Sequence, residues 1–286
     1  MPANEALPEY EVIALKYATR AGARPDHFIG GDPHDVPMPM DYYVWVVRDA
    51  KRLFLVDTGF NADMAIKRHR TLLRTPAEAL ALVGIASADV RQVIVTHLHN
   101  DHIGTFDEYP NARFHLQDDE MAFATGRYMC CERFNRAYEI EHVAGMVRLT
   151  YQDRIDFHQG DAEIAPGISL HRIGGHTAGL QSVRVHTARG WVVLASDASH
   201  YYEHFETRRC FPLVFHVGDM IEGYARLLAL ADSPQHVVPG HDPLVMQRYP
   251  ALSPALEGIA ARLDLAPNAE PPATTAASAA PSTAHH

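Results

Sequence analysis

The sequence is poor in the residues and runs that mark several common classes of protein. Only three of its 286 residues are cysteine, and two of these, Cys130 and Cys131, are adjacent. Three cysteines do not make a disulfide framework, which favours a reducing cytoplasm. No apolar run approaches the roughly 20 residues of a membrane-spanning helix, and residues 1–11 lack the basic start and apolar core of a signal peptide. We therefore expect a cytoplasmic protein without membrane insertion.

Positive charge is also scarce, which bears on the partners that the protein can bind. Lysine and arginine number 25 against 35 aspartates and glutamates, so the formal net charge is −10. No run of basic residues carries interleaved aromatics, and an acidic chain is repelled by phosphate backbones, so we expect no nucleic-acid partner. A composition of 47% hydrophobic and 21% charged residues is typical of a globular protein with a substantial core.

Histidine, by contrast, is abundant, with 19 in the chain. Four residues of metal-ligating types follow the β-branched run 93–95 within six positions: His97, His99, Asp101 and His102. The first two project to the same side of an extended chain, whereas a bend at Asn100 turns the last two toward a neighbouring point. This arrangement suits two adjacent divalent metals. The alternative is chance clustering, since a single histidine is usually a surface or core residue.

Three later stretches favour the metal site, because a closed dinuclear centre needs about three further ligands. Each consists of an apolar strand, a turn and then a residue of a ligating type. These residues are His176 after residues 168–173, Asp197 after residues 191–195, and His241 after a Pro-Gly turn at residues 239–240. Repetition of the same pattern three times is difficult to obtain by chance.

In this order, the seven residues resemble the ligand motif of the metallo-β-lactamase superfamily. Residues 53–59, Leu-Phe-Leu-Val-Asp-Thr-Gly, are similar to the strand-Asp-Thr-Gly element that precedes the motif in that superfamily. The resemblance extends from about Tyr10 to about Tyr249. The spacing of the last three ligands is most similar to that of the N-acyl-homoserine lactonase branch.

The resemblance implies a role for each ligand residue. His97, His99 and His176 hold one metal, Asp101, His102 and His241 hold the other, and Asp197 bridges the two. Ligation by nitrogen and oxygen alone suits two divalent zinc ions, with iron, manganese or cobalt as alternatives. Asp57, from the Asp-Thr-Gly element, is expected to orient a ligand histidine.

The activity implied by this ligand set is hydrolysis. We expect a hydroxide that bridges the metals to open a lactone ring, in an N-acyl-homoserine lactone or a related lactone or ester. Asp101 is expected to manage the proton that passes to the leaving group. A β-lactamase would carry a cysteine where Asp197 stands, and a flavodiiron oxidoreductase would carry a glutamate where His99 stands.

Two other activities remain open at this point. Thioesterases similar to glyoxalase II share all seven ligands, and an iron-dependent persulfide dioxygenase would bind one metal. The chain also departs from the lactonase branch, in which a tyrosine three residues after the bridging aspartate binds the substrate carbonyl. Here that position is His200, followed by Tyr201. Either His200 or Tyr201 takes this catalytic role, or the substrate is another lactone or ester.

Strands that end in ligand residues alternate twice with helices along the chain. This pattern and the resemblance predict an α/β fold, a four-layer αββα sandwich with two mixed sheets between helices. We expect one hydrolase domain at 1–266. Its helical insertion at 126–149 lies near the cleft, at a homodimer contact or simply on the surface. The Pro-, Ala-, Thr- and Ser-rich tail at 267–286 is expected to be disordered, with His285 and His286 as a cloning remnant.

Local patterns predict the individual elements. Strands are expected at 11–17, 41–48, 52–56, 93–95, 112–116, 154–157, 163–164, 168–173, 182–186 and 191–195, with the last strand at His236. Helices are expected at 61–84, split before Pro76, and at 118–125 and 217–231. The Gly- and Pro-rich residues 22–40 form either a surface connection or a flap that gives the cleft an apolar wall.

Overall fold

The first two long strands are apolar on both faces, and this pattern sets the order of the layers. The computed structural model describes residues 7–269, in which Glu11–Arg20 (β1) and Met40–Arg48 (β2) pair antiparallel. Trp45 packs toward the second sheet, whereas its neighbour Val44 packs toward helices. Because successive side chains of a strand point to opposite faces, this sheet has to be covered on both sides.

The first sheet brings two loops of the future site to one edge. Its other strands are Leu53–Val56 (β3), Thr71–Leu72 (β4), Gln92–Ile94 (β5), Arg113–Gln117 (β6), Ile155–His158 (β7) and Ala260–Arg262 (β13). The order is β13-β1-β2-β3-β5-β6-β7, with β4 also paired to β1. Because β3 and β5 are parallel neighbours, the loops that follow them, at Asp57 and at His97, leave from the same edge.

The second sheet brings two more loops to its own edge. Its strands are Ala162–Ala165 (β8), Ile168–Arg172 (β9), Gln181–Thr187 (β10), Gly190–Ser196 (β11) and Val237–Pro239 (β12), in the order β12-β11-β10-β9-β8. All neighbours are antiparallel except β11 and β12, which are parallel. Their carboxyl ends therefore place Asp197 and His241 side by side.

Helices cover the outer faces of the two sheets. They are Ala62–Lys67 (α1), Pro76–Leu82 (α2), Asn100–Ile103 (α3), Asp118–Ala124 (α4), Glu132–Asn135 (α5), Ile140–Tyr151 (α6), Tyr202–Thr207 (α7), Val217–Leu230 (α8) and Leu244–Arg248 (α9). Residues of α1, α2 and α6 join the core on the outer side of the first sheet, and residues of α8 pack on the second sheet. Within residues 7–269, no helix combines the length and the apolar character of a membrane span. The predicted αββα sandwich is confirmed.

Most predicted elements are present, with shifted ends. The helical stretch before and after Pro76 is split as expected, since Thr75 caps α2 with a capping box. The prediction that the last strand lies at His236 is wrong, because the chain returns to the first sheet as β13. Its Ala-Ala-Arg sequence has little strand propensity, and pairing with β1 holds it in place.

The structure divides the predicted helical insertion into shorter helices and adds a helix that the sequence did not predict. The insertion at 126–149 consists of a 3₁₀ turn at Arg127–Cys130, then α5, then α6, which continues to Tyr151. Helix α7, just after the third ligand loop, was not predicted, because its six residues are too few to show a period. Most of the predicted tail at 267–286, with His285 and His286, lies outside the described residues.

The layering predicts which apolar residues carry the stability. Leu194, in β11, is fully buried, whereas Ile66, in α1, is 75% exposed. Leu194→Ala should lower the free energy of unfolding by about 2–5 kcal/mol, because it leaves a cavity in a packed core. The matched change Ile66→Ala should alter it by less than about 0.5 kcal/mol. Urea denaturation of both variants tests this, and equal losses would contradict the layering.

Candidate metal centre

The loop between β5 and α3 carries the first four residues with ligand chemistry. His97 and His99 lie in extended backbone, and α3 begins at Asn100, which turns the chain. The Asn100 side chain donates to the carbonyl oxygen of Ala137 at 2.8 Å and fixes this turn. Asp101 and His102 thereby leave the loop in a different direction from the first two histidines.

Three buried histidines meet at one point. His99 Nδ1 lies 3.0 Å from His97 Nε2 and 3.0 Å from His176 Nε2. His176 Nδ1 donates to the carbonyl oxygen of Leu213 at 2.6 Å, so its Nε2 presents a lone pair to the cluster. Burial lowers the pKa of all three rings below the ordinary histidine value, which keeps them in the neutral form that binds metals.

A second group lies beside the first and includes Asp101, His102 and His241. His102 Nδ1 donates to Asp57 Oδ2 at 2.7 Å, and His241 Nδ1 donates to the carbonyl oxygen of Asp41 at 2.9 Å. These bonds direct the Nε2 atom of each ring toward the interior of the site. Asp101 is more open, and its carboxylate oxygens lie 3.9 Å from the Nε2 atoms of His102 and His241.

Asp197 stands between the two groups with one carboxylate oxygen toward each. Its Oδ2 lies 3.3 Å from His176 Nε2, and its Oδ1 lies 2.9 Å from His241 Nε2. Ser196, the preceding residue, has a left-handed φ of 48°, which turns the chain at the end of β11. A Cβ at Gly240 would lie 2.7 Å from the Ser196 carbonyl oxygen, so this close approach of the two loops requires glycine.

The polar atoms at the centre fit a cation. His102 Nε2 and Asp197 Oδ1 are buried, lie 3.4 Å apart, and have no hydrogen-bond partner. Burial alone would lower the pKa of His102, but the Asp197 and Asp57 carboxylates raise it well above the ordinary value, so the site favours positive charge there. Burial would raise the pKa of Asp197, yet His241 and His102 hold it well below the ordinary value.

Ligand atoms of several triads lie within 4.8 Å of one another, as a shared metal requires. The triads are His97–His99–His176, His97–His102–Asp197, Asp101–His102–His241 and His176–Asp197–His200. The structure therefore brings all seven residues of the sequence motif together and adds His200 to them. Such a donor set suits divalent transition metals.

His200 and Tyr201 occupy different places. The His200 ring stacks on Phe211 with centroids 3.7 Å apart, and its Nε2 donates to Asp197 Oδ2 at 3.1 Å. Burial lowers the pKa of His200 well below the ordinary value, so the ring is neutral. The Tyr201 side chain is buried outside the ligand cluster, where its hydroxyl donates to the carbonyl oxygen of Pro39 at 3.1 Å.

Asp57 orients His102, one of the histidines that the sequence predicts as ligands. Besides His102, its carboxylate accepts hydrogen bonds from the Thr96 backbone N–H and from the Thr96 hydroxyl, both at 2.8 Å. The same hydroxyl oxygen lies 3.2 Å from His97 Nδ1 and can accept from it, which leaves His97 Nε2 free as a ligand atom. One buried carboxylate thus orients a histidine of each group.

Glu120 is a positioning residue that sequence reasoning missed. Its fully buried carboxylate accepts hydrogen bonds from the backbone N–H groups of Leu98 and Gly179 and from the hydroxyls of Thr177 and Tyr138, at 2.6–3.1 Å. It therefore joins both histidine loops to the helical insertion. In the sequence it follows two aspartates and looks like an ordinary acidic helix start, so no local signal distinguishes it.

The ligand residues open onto a cleft of about 350 Å³. His99, Asp101, Asp197, His200 and His241 line its floor. Residues 22–40 contribute Asp26, His27 and Met40 to the wall, so this segment makes a largely polar wall rather than the predicted apolar one. A separate groove of about 730 Å³ runs beside it, between the insertion and the α1 end.

Known proteins are similar to this chain in sequence or in fold. The sequence profile described as "Metallo-beta-lactamase superfamily" matches residues 38–248. The N-acyl homoserine lactonase AiiB of Agrobacterium fabrum is 30% identical over 127 residues, which cover 43% of this chain and 45% of that protein. A probable metallo-hydrolase of Mycobacterium tuberculosis is 26% identical over 210 residues, which cover 64% of this chain and 65% of that protein. The aligned stretch thus spans less than half of the lactonase and about two thirds of the metallo-hydrolase.

A solved structure extends the likeness over most of the chain. A quorum-quenching N-acyl homoserine lactone lactonase superposes with a TM-score of 0.69 at 21% identity, over 83% of this chain and 94% of that one. At this identity the likeness establishes the shared fold.

The Glu120 contacts predict an effect on both stability and metal binding. Glu120→Ala would leave two buried N–H groups and two hydroxyls without an acceptor, so it should cost on the order of 3 kcal/mol of unfolding free energy. Metal affinity should fall about 10- to 100-fold, because the histidine loops lose their common support. Thermal unfolding and metal titration measure the two effects.

The exposed Glu141 provides a matched control. Glu141→Ala should leave the unfolding free energy within about 0.5 kcal/mol of the wild type and metal affinity unchanged. A Glu120→Ala protein with wild-type metal affinity would show that Glu120 does not position the histidine loops.

Proposed function

This chain belongs to the metallo-beta-lactamase superfamily, and on that premise we propose that it is a metal-dependent hydrolase that opens a lactone or related ester. The observation that carries the proposal is the position of Asp197. Its two carboxylate oxygens face two separate histidine groups, and buried nitrogen and oxygen atoms there lack partners. A pair of divalent cations would satisfy these atoms, because buried lone pairs of several rings and of the carboxylate converge there.

We assign the seven ligands to two ions. His97, His99 and His176 would hold one, Asp101, His102 and His241 would hold the other, and Asp197, whose oxygens face both groups, would contribute to both. Zinc suits a site made only of nitrogen and oxygen donors, and iron, manganese or cobalt also fit. When bound, such ions lower the pKa of water toward about 7 and polarise a carbonyl group.

The chain's own residues handle orientation and protons. The Asp101 carboxylate is the most open of the proposed ligands, with an 18% exposed side chain, and it can carry a proton from the nucleophile to the leaving alcohol. His200 also lines the cleft, and its Nε2–H, which donates to Asp197, can be shared with the substrate carbonyl oxygen. In the proposed mechanism His200, rather than Tyr201, orients that carbonyl, because the Tyr201 hydroxyl is already bonded to the backbone.

The class of substrate is supported by similarity and by the open cleft. The curated lactonase of Agrobacterium fabrum acts on N-acyl homoserine lactones, according to its name, and it shares 30% identity over the aligned residues.

We also propose that the protein works in a reducing cytoplasm, since Cys130, Cys131 and Cys210 are all free thiols.

Removal of a ligand should abolish activity and metal binding together. His97→Ala and Asp197→Ala should each reduce kcat/KM by at least about 10³-fold and lower the metal content per chain, because each removes a donor to an ion that the reaction needs. His34→Ala, at a histidine with a 74% exposed side chain, is the control and should change neither. Unchanged turnover in either ligand variant would overturn the mechanism.

The substrate class can be tested by proton release at constant pH, since opening a lactone frees an acid. Metal-loaded protein should release protons from lactones, with acyl-homoserine lactones of graded chain length included in the panel. Chelation should stop the reaction and zinc should restore it. Turnover of acyl thioesters alone would instead indicate a glyoxalase II-like thioesterase.

A substitution pair separates His200 from Tyr201. His200→Ala should lower kcat about 10- to 100-fold with metal content unchanged, because the reacting carbonyl loses a donor. Tyr201→Phe should leave kcat within about threefold of the wild type. The opposite ranking, measured by steady-state kinetics, would transfer the role to Tyr201.

A further inference from the structure

The cleft above the proposed metal centre is rich in arginine although the protein is acidic. Four arginines line it, namely Arg20, Arg68, Arg70 and Arg136. The carboxylates that line it are Asp26, Asp101 and Asp197, and the last two are proposed metal ligands. Positive charge is therefore concentrated at one place in a chain with a formal net charge of −10.

Three of these arginines have no acidic partner among residues 7–269. No carboxylate oxygen lies within 4.0 Å of the guanidinium nitrogens of Arg20, Arg70 or Arg136 in this part of the chain, whereas Arg68 pairs with Glu139. Arg20 Nη2 contacts Met40 Sδ at 2.7 Å, and its buried Nε has no partner. A half-buried guanidinium without a counter-charge is costly, so its retention points to a ligand.

The sheet register places two of the unpaired arginines opposite each other. Strands β1 and β4 are antiparallel, with Ala18 opposite Leu72 and Thr19 opposite Thr71. Arg20 ends β1 and Arg70 immediately precedes β4, so the same register continued by one position would set the two arginines opposite each other. Like charges at directly opposed positions are unfavourable, and an anion between them would reverse the sign of that interaction.

The pair lies close to the reacting centre. The Arg70 guanidinium is 5.6 Å from the centroid of the Tyr42 ring, and the His241 ring centroid is 5.0 Å from the same centroid. The arginine and a proposed metal ligand thus both neighbour one aromatic ring. A small substrate can span this gap with its scissile carbonyl at the metals and a second group at the arginines.

We propose that Arg20 and Arg70, assisted by Arg136, bind an anionic group of the substrate, a carboxylate or a phosphate. The inference rests on the proposed hydrolase function and narrows it to lactones or esters that carry such a group a few bonds from the scissile carbonyl. Arginine suits both anions, because its planar fork donates two parallel hydrogen bonds. A neutral lactone with an aliphatic chain would leave these guanidinium groups without a counter-charge.

Two matched lactones test the proposal on metal-loaded, full-length protein. One is a γ-butyrolactone that carries a ring carboxylate, and the other has the carboxylate replaced by a primary amide. The wild type should hydrolyse the carboxylate form with about 10- to 100-fold higher kcat/KM, the gain expected from charge-assisted hydrogen bonds. A phosphate-bearing lactone is tested beside them. Equal kcat/KM for the carboxylate, amide and phosphate lactones would overturn the proposal, and a preference for the phosphate lactone alone would identify phosphate as the anion.

Variants assign any preference to the arginines. Arg20→Gln and Arg70→Gln should each lower kcat/KM for the carboxylate lactone about 10- to 100-fold and leave the amide lactone within about threefold, which also shows that the variants fold. Arg70→Lys should recover part of the preference, because it keeps the charge but not the fork. Arg148→Gln, at an exposed arginine outside this cleft, is the control and should change neither substrate. A preference that survives in both glutamine variants would contradict the assignment.

A binding measurement distinguishes failure of the hydrolase proposal from failure of the anion-site proposal. If neither lactone is turned over, calorimetric binding of the same pair still tests the arginines. Tighter binding of the carboxylate form to the wild type, lost in Arg20→Gln and Arg70→Gln, would support an anion site in a protein of another activity. Equal binding of both forms would overturn the anion site as well.

Discussion

The structure depends on one buried carboxylate that faces two clusters of histidine nitrogen. Asp197 lies between the clusters with each oxygen about one hydrogen-bond length from a ring nitrogen. Folding without a cation would bury several lone pairs and a carboxylate against each other, which is strongly unfavourable. In the proposed dinuclear centre, the free energy of metal binding would offset this cost and would couple metal binding to folding of the loops.

Groups outside the centre orient the histidine rings through hydrogen bonds. Three acceptors each take a hydrogen bond from a histidine Nδ1 and thereby turn the Nε2 of that ring inward. They are the backbone carbonyl oxygens of Leu213 and Asp41 and the Asp57 carboxylate. The Glu120 carboxylate joins the loop of His97 and the loop of His176 by accepting hydrogen bonds from both. The two-sheet sandwich contributes the common edge at which these loops meet, because the strands that precede them are parallel neighbours.

The sequence predicted the layered fold and the set of candidate ligands because both leave local patterns. Apolar strands followed by a turn and a ligating residue are visible in any window that contains them. The contacts of Glu120, the strand β13 and the meeting of Arg20 and Arg70 in one cleft leave no such pattern, since each depends on residues far apart in the chain. The distinction between His200 and Tyr201 likewise depends on the direction of two adjacent side chains, which only the packed loop determines.

The number of metal ions bound per chain tests the central claim most directly. Full-length protein would be loaded with zinc, dialysed against metal-free buffer and analysed for zinc and protein together. Two ions per chain are predicted, since the proposal assigns three ligands to each ion and Asp197 to both. A stoichiometry of one would contradict the dinuclear centre and favour the persulfide dioxygenase alternative, and a stoichiometry of zero would remove the metal site altogether.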